Sequence, residues 1–266
     1  MGARLSSWWQ KIKTHPFTST LIVLFIAFVV LVIFGGYKLN WVWTGFNGDS
    51  KTRKTLWDWL QLFIIPFALA ITAIFFNRSE RKNEQRIALD NQQEAALQEY
   101  IKEMSELLLH EKLRESDPNA EVRKIAQVRT LTVLPRLDGK RKGSVLQFLH
   151  ESGLIDKDMC IIDLHGADLN YVDLNYASLR AARLSRAKLH KAHLFGSNLH
   201  GVDFTLADLR HADLTLTTMD NADLTGAILI SANLNAAHLK GAILNDADLS
   251  SANLKGAIMP DGHIHP

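Results

Sequence analysis

Apolar residues in this chain follow three different rhythms, and each predicts a different element. Between His15 and Lys38 there is no charged residue, and Leu21–Phe34 is an unbroken run of apolar side chains. A helix needs roughly 20 such residues to cross the hydrocarbon core, so this window predicts a first transmembrane helix over 17–37. A second uncharged window, Trp59–Phe76, contains Gln61 and Pro66 and predicts a second span over 57–77, with a loop over 38–56 between the two. Trp41, Trp43, Trp57 and Trp59 flank the windows as an aromatic belt does. Ahead of them, Leu5, Trp8, Trp9 and Ile12 share a helical face among Arg4, Lys11 and Lys13, predicting an interfacial helix over 1–16.

The second rhythm is helical and soluble. No glycine falls between Gly48 and Gly139 and no proline between Pro66 and Pro118, so one helix is expected to continue to about Arg114. It opens a helical neck and cap over 78–155. Leu97, Ile101, Met104 and Leu108 form a short apolar seam, suited to packing on the chain's own later helices or on another copy. Asp117-Pro118 reads as the start of the next helix, with Val122, Ile125 and Val128–Thr132 as its buried face. A last helix is expected over Lys140–Ser152.

The third rhythm has a period of five. From Leu164 to Met259, leucine recurs at every fifth position, replaced only by Phe204, Met219 and Met259 across twenty repeats. Two residues earlier, fifteen of the twenty positions are alanine, and Asp or Asn dominates between them. Neither a helix nor an ordinary strand repeats every five residues, so this is a stacked array. The stretch Ile162–Met259 resembles the pentapeptide repeat family, A-(D/N)-L-x-x. That resemblance implies a right-handed quadrilateral β-helix over 156–266, of about five coils with four pentapeptides each, ending in a short tail. More loosely, Lys54-Thr-Leu-Trp-Asp-Trp-Leu and Leu137-Asp-Gly-Lys-Arg-Lys-Gly resemble the leader of membrane-anchored bacterial members. The expected fold is therefore two transmembrane α-helices and a helical neck followed by an all-β solenoid.

A coil of twenty residues stacks positions twenty apart. It places Arg183 between Asp163 and Asp203, Lys188 between Asp168 and Asp208, and His193 between Asp173 and Asp213, an alternation expected to stabilise the stack.

Charge bears on orientation. Seven basic residues (Arg4, Lys11, Lys13, Arg78, Arg81, Lys82, Arg86) lie outside the two windows against four between them. The positive-inside rule then places both ends, and the repeats, on the cytoplasmic side of a bacterial inner membrane. The net charge of +2 gives no electrostatic case for nucleic-acid binding.

Candidate chemistry is sparse. Cys160 is the sole cysteine and reads as a small buried hydrophobe. The histidines follow the pentapeptide spacing and suggest no metal site; His263-x-His265 reads as part of a disordered tail. Gly139–Ser144 has the wrong order for a phosphate loop and reads as a solvated basic turn. No nucleophile–base pair stands out, so no enzyme activity, cofactor or metal is expected. Ile228, Ile230, Ile243 and Ile258 are apolar residues at outward positions of the last two coils, a candidate interface with another copy or a partner; the alternative is that the tail after Met259 folds back over this end. The expected function is a membrane-anchored scaffold that engages a protein partner. The alternatives are an oligomeric membrane-active or channel-like assembly and, as some family members imply, a DNA mimic protecting a topoisomerase.

Overall fold

The computed structural model describes residues 56–155 and 160–266, and divides into two compact units, Met1–Glu84 and Gln85–Pro266. The expected interfacial helix, first span and connecting loop lie outside the described residues, except that Leu56 is already helical. Helix α1 runs unbroken over Leu56–Leu109, so Pro66 does not interrupt it, and it stops short of Arg114. Among the described residues no helix is long and apolar enough to cross a membrane. The expected second span is helical, but its side chains are described only from Phe67, and the apolar run closes at Phe76, before Asn77-Arg78. Leu69, Ile74 and Phe76 are exposed there.

In the second unit the seam of α1 packs on the chain itself. Met104 is fully buried, Leu97 and Tyr100 nearly so, and the Tyr100 hydroxyl meets Thr130 Oγ1 at 2.8 Å. Burial pushes the Tyr100 phenol well above its usual range, the hydrogen bond with Thr130 notwithstanding. Helix α2 spans Glu121–Val133 and α3 spans Gly139–Glu151. Asp117-Pro118 forms a turn closed by the Ala120 amide on the Asp117 carbonyl at 2.9 Å, so α2 begins three residues later than the proline suggests. Its inward stripe is Ala126, Thr130 and Val133, whereas Ile125 and Val128 are exposed. The 3.6-residue period allows only one of these two stripes to face the core.

The basic turn at Gly139–Ser144 is instead the opening of α3, and it closes the top of the solenoid. Asp138 caps it, accepting from the Arg141 amide at 2.9 Å. Gly139 and Gly143 lie one turn apart on a single face. A Cβ on either would stand 1.8 Å from the Tyr171 carbonyl oxygen or 2.1 Å from that of Asp173. The Asp173 amide donates to the Gly139 carbonyl at 2.9 Å. Gln127 of α2 extends the same cap, accepting from the Asp163 amide at 2.7 Å and donating to the Asp163 carbonyl.

Below the cap the chain winds in square coils of twenty residues. Parallel bridges join Asp168 to Lys188 and Lys188 to Asp208, Asp173 to His193 and His193 to Asp213, and so on down four faces. From Leu169 to Leu239 the central residue's amide donates to the coil below (Leu169 to the Lys188 carbonyl, 2.8 Å), and from Lys188 onward the residue before it donates upward (Lys188 to the Ala167 carbonyl, 2.9 Å). Leucine and alanine point inward and, apart from the half-buried Ala177, are buried from Leu164 to Leu239. Ser197 and Thr217, standing in for alanine, stay buried because their hydroxyls donate to the Leu194 and Leu214 carbonyls at 2.7 Å. The last coil is less covered: Leu244, Leu249 and Leu254 are half-buried. The tail is not disordered but turns back, with Ile264 bridging Ile258 antiparallel and the His265 amide donating to Ala257 at 2.8 Å. That pairing covers one side of the coil.

Candidate interaction surface

The outward position before each leucine is held by its own turn. The Asp163 carboxylate accepts from the His165 amide at 2.9 Å, Asp203 from Thr205 at 2.9 Å and Asp223 from Thr225 at 3.0 Å. Asn198, Asn233 and Asn253 do the same for the amide two residues on. Asp and Asn dominate here because a short side-chain oxygen can close this local ring.

That commitment alters the expected charge ladder. The bridges follow the expected register except at Asp163, which has no bridge to Arg183, and Arg183, Lys188 and His193 form no ion pair within 4 Å with the carboxylates of the neighbouring coils. Asp168 pairs instead with Lys142 of the cap at 3.2 Å, and Asp208 with Arg210 at 2.6 Å. Against burial, which would raise it, the Asn170 amide and the Lys142 ammonium hold the Asp168 carboxyl below its usual range. Arg210 does this for Asp208. Coil two, residues 182–201, contains no acidic residue, so it forms a belt of cations whose stacked acids are already engaged.

The four isoleucines fall on different sides. Ile228 continues the face of Lys188 and Asp208, Ile243 that of Asp203 and Asp223, and Ile258 that of Thr218 and His238. Ile243 is the exposed one, at 45 %, while Ile228, Ile230 and Ile258 are half-buried. Ile258 is paired by the returning tail. The structure therefore does not gather them into one patch on one face.

A different cluster stands out on the third face, the column Asp173, His193, Asp213. At the turn preceding it, Tyr171, His190 and His211 stack edge to face, with ring centroids 5.9 and 5.4 Å apart, and Lys191 lies 5.9 Å over the Tyr171 ring. At the turn after it, Tyr176 meets Phe195 edge to face at 5.4 Å and rests on Gly196. Tyr171 and Tyr176 are 55 % and 76 % exposed and hold φ of 60° and 59°. The sequence carries one trace of this: tyrosine fills a turn position that is glycine at 166, 196, 201, 226, 241 and 256.

Elsewhere, an open groove of about 320 Å³ between α1 and α2 is lined by Tyr100, Val128, Thr132 and Arg136 and bridged by Arg129 and Glu103 at 2.9 Å. Cys160 is half-buried; burial pushes its thiol pKa up, against the pull of Arg183. Among the described residues no group of three or more His, Cys, Asp or Glu side chains could hold a metal ion.

Square coils stacked by main-chain bridges every twenty residues define a β-helical solenoid. The family model of pentapeptide repeats matches residues 162–201, 187–226, 203–240 and 227–261, so the segment 162–261 is a pentapeptide-repeat domain. Among solved structures, the chain is similar to a pentapeptide repeat protein from the Arabidopsis thaliana thylakoid lumen, at 29% identity and a TM-score of 0.30. It is similar also to one from the cyanobacterium Cyanothece 51142, at 33% identity and a TM-score of 0.34. A third, from Nostoc sp. strain PCC 7120 and involved in heterocyst differentiation regulation, shares 34% identity with a TM-score of 0.21. The matches cover 39%, 36% and 39% of this chain and 68%, 65% and 56% of those chains, so the chain spans about two thirds of their length or less. No curated protein matches the chain.

Proposed function

We propose that the protein is a membrane-anchored, non-enzymatic scaffold that presents a rigid β-helical surface to a protein partner on the cytoplasmic side. The observation that carries this reading is the division of labour within each pentapeptide. The core takes leucine and alanine, and the Asp or Asn closes its own turn. Only turn positions and a few ladder positions are left for contact, all on a backbone fixed by hydrogen bonds in every coil. A surface of this kind recognises by preorganised shape and spends little entropy on ordering. Support for the anchor comes from the unbroken apolar run Leu21–Phe34 and from the exposed Leu69, Ile74 and Phe76.

Cross-linking in native membranes followed by pull-down of the full-length protein tests this, with a version lacking residues 156–266 as the control. The scaffold reading expects a partner that is lost with the repeats. Recovery of the protein alone, as a multimer held by its remaining spans, would overturn it in favour of a membrane-active assembly.

A further inference from the structure

The second face of the solenoid, the column Asp168, Lys188, Asp208, Ile228 and Asp248, changes character from coil to coil. Coil two brings Arg186 and Lys188 to it, both exposed, and neither forms an ion pair with a described residue. In coil three Asp208 is already neutralised by Arg210 at 2.6 Å. An apolar row follows: Leu206 on the edge of coil three is 48 % exposed, and Ile228 and Ile230 of coil four are half-buried. Coil five then presents two exposed acids, Asp246 and Asp248, with no cation paired to them among the described residues. Asp248 accepts from the Ser250 amide at 3.0 Å and from the Ser250 hydroxyl, and these neutral donors hold its carboxyl below the usual range, so it stays charged.

These rows are placed symmetrically. Arg186, Leu206, Gly226 and Asp246 follow one another down one edge, and Lys188, Asp208, Ile228 and Asp248 down the face beside it. A line across the face between coils three and four has the cations about 7 Å to one side and the acids about 7 Å to the other, at ~4.8 Å per coil. A two-fold axis along that line reverses the order of the coils in a second copy. Arg186 then stands opposite the other copy's Asp246 and Lys188 opposite its Asp248, each pair formed twice. The two Leu206 side chains meet near the axis, since each leans over Gly226, where an added Cβ would lie 2.7 Å from Leu206 Cδ2. Ile228 faces the Asp208–Arg210 pair, which carries no net charge. Copies aligned in the same order would instead set coil two on coil two, cations against cations.

We propose that this second face pairs with the same face of a second copy, with the coils in reversed order. Cations and acids at equal distances on either side of an apolar row make a surface complementary to itself, which is what a two-fold interface requires. A partner of one charge sign would be drawn to one row and repelled by the other. Because the axis crosses the solenoid, it can stand along a membrane normal, and two copies anchored in one bilayer can then adopt the arrangement.

Photo-cross-linking with charge reversal tests the pairing. Benzoylphenylalanine replaces Leu206 in the full-length protein in native membranes, and Thr218, on the opposite face, in a second version. A ring at 206 stands at the kind of turn position, with positive φ, that Tyr171 and Tyr176 already hold. Adducts between two copies should form at 206, map by mass spectrometry to residues 205–207 or 225–227 of the other copy, and be scarce at 218. Arg186→Asp should lower their yield about tenfold, and so should Asp246→Arg; the two together should restore it, because the opposite charges then face each other again. Equal yields at 206 and 218, adducts that map to 210–211 as same-order pairing would give, single reversals without effect, or a double reversal that fails to restore the yield would overturn the proposal. So would adducts at 206 only to lipid or to another protein, or none at all. Each of these results leaves the scaffold reading, tested by pull-down, standing.

Discussion

The outward Asp or Asn of each pentapeptide works as a local cap, and this shapes what single substitutions should do. Asp223→Ala frees the Thr225 amide, now bonded at 3.0 Å, and should cost about 1 kcal/mol in thermal unfolding. Arg186 offers the opposite case. It is exposed and sits at φ 56°, a region that glycine enters without penalty. Arg186→Gly should therefore raise stability, by about 0.5–1 kcal/mol after the extra freedom of glycine in the unfolded chain is counted. A lower melting temperature would mean that Arg186 makes a contact worth more than its strain. The period of five made the inward and outward positions legible from Leu164 to Met259. It did not reveal that Asp163 and Asp203 turn to their own amides rather than to Arg183, because a side chain's choice between a local amide and a stacked cation leaves no mark on a repeat. The tyrosine edges escaped notice for a related reason: a positive φ is a property of the turn, and tyrosine is ordinary in composition.

Helix α3 is the element that joins the helical cap to the solenoid, and two consecutive basic residues do the joining in opposite directions. Arg141, 14 % exposed, reaches Asp90 at 2.7 Å and Glu94 at 3.0 Å on α1 and also pairs with Asp138. Lys142, 5 % exposed, reaches Asp168 and the Asn170 carbonyl in the first coil at 3.2 Å each. Gly143→Ala should cost about 3 kcal/mol or undock the helix, since the added carbon meets backbone that cannot yield. Acid should loosen the junction. The Asp168 and Asp138 carboxyls are held below their usual range in the folded protein. Their contribution is therefore complete above the unfolded value of about 3.9 and is lost as the pH falls through the folded one. Asp168→Asn should melt earlier than the parent at pH 7, by a gap that narrows as the pH falls below about 3.9; a constant gap would show that charge is not what matters. In the sequence, Gly139 and Gly143 already lay four residues apart, the spacing that lets a helix approach another backbone closely. Their basic neighbours drew the reading toward a solvated turn. Val128 was misplaced as core because helix α2 has apolar residues on more than one side, and only packing decides which side is buried.

At the scale of the whole molecule, the repeat domain was legible because a fold that buries one leucine in every five residues must write that period into its sequence. The helical cap was legible in its elements but not in its contacts, because the seat of α3 depends on the first coil's backbone. The proposed anchor rests on the apolar windows of the sequence, chiefly Leu21–Phe34, and on the exposed apolar side chains near the start of α1. Every partner reading depends on it, because a protein held at a membrane meets only what comes near that membrane. The measurement that bears on it most directly is alkaline carbonate extraction of native membranes containing the full-length protein, followed by immunodetection of the repeat domain. The account predicts that the protein stays in the membrane pellet, as a chain with spanning helices does. Complete release into the supernatant would contradict it and leave a pentapeptide-repeat domain with no anchor of its own.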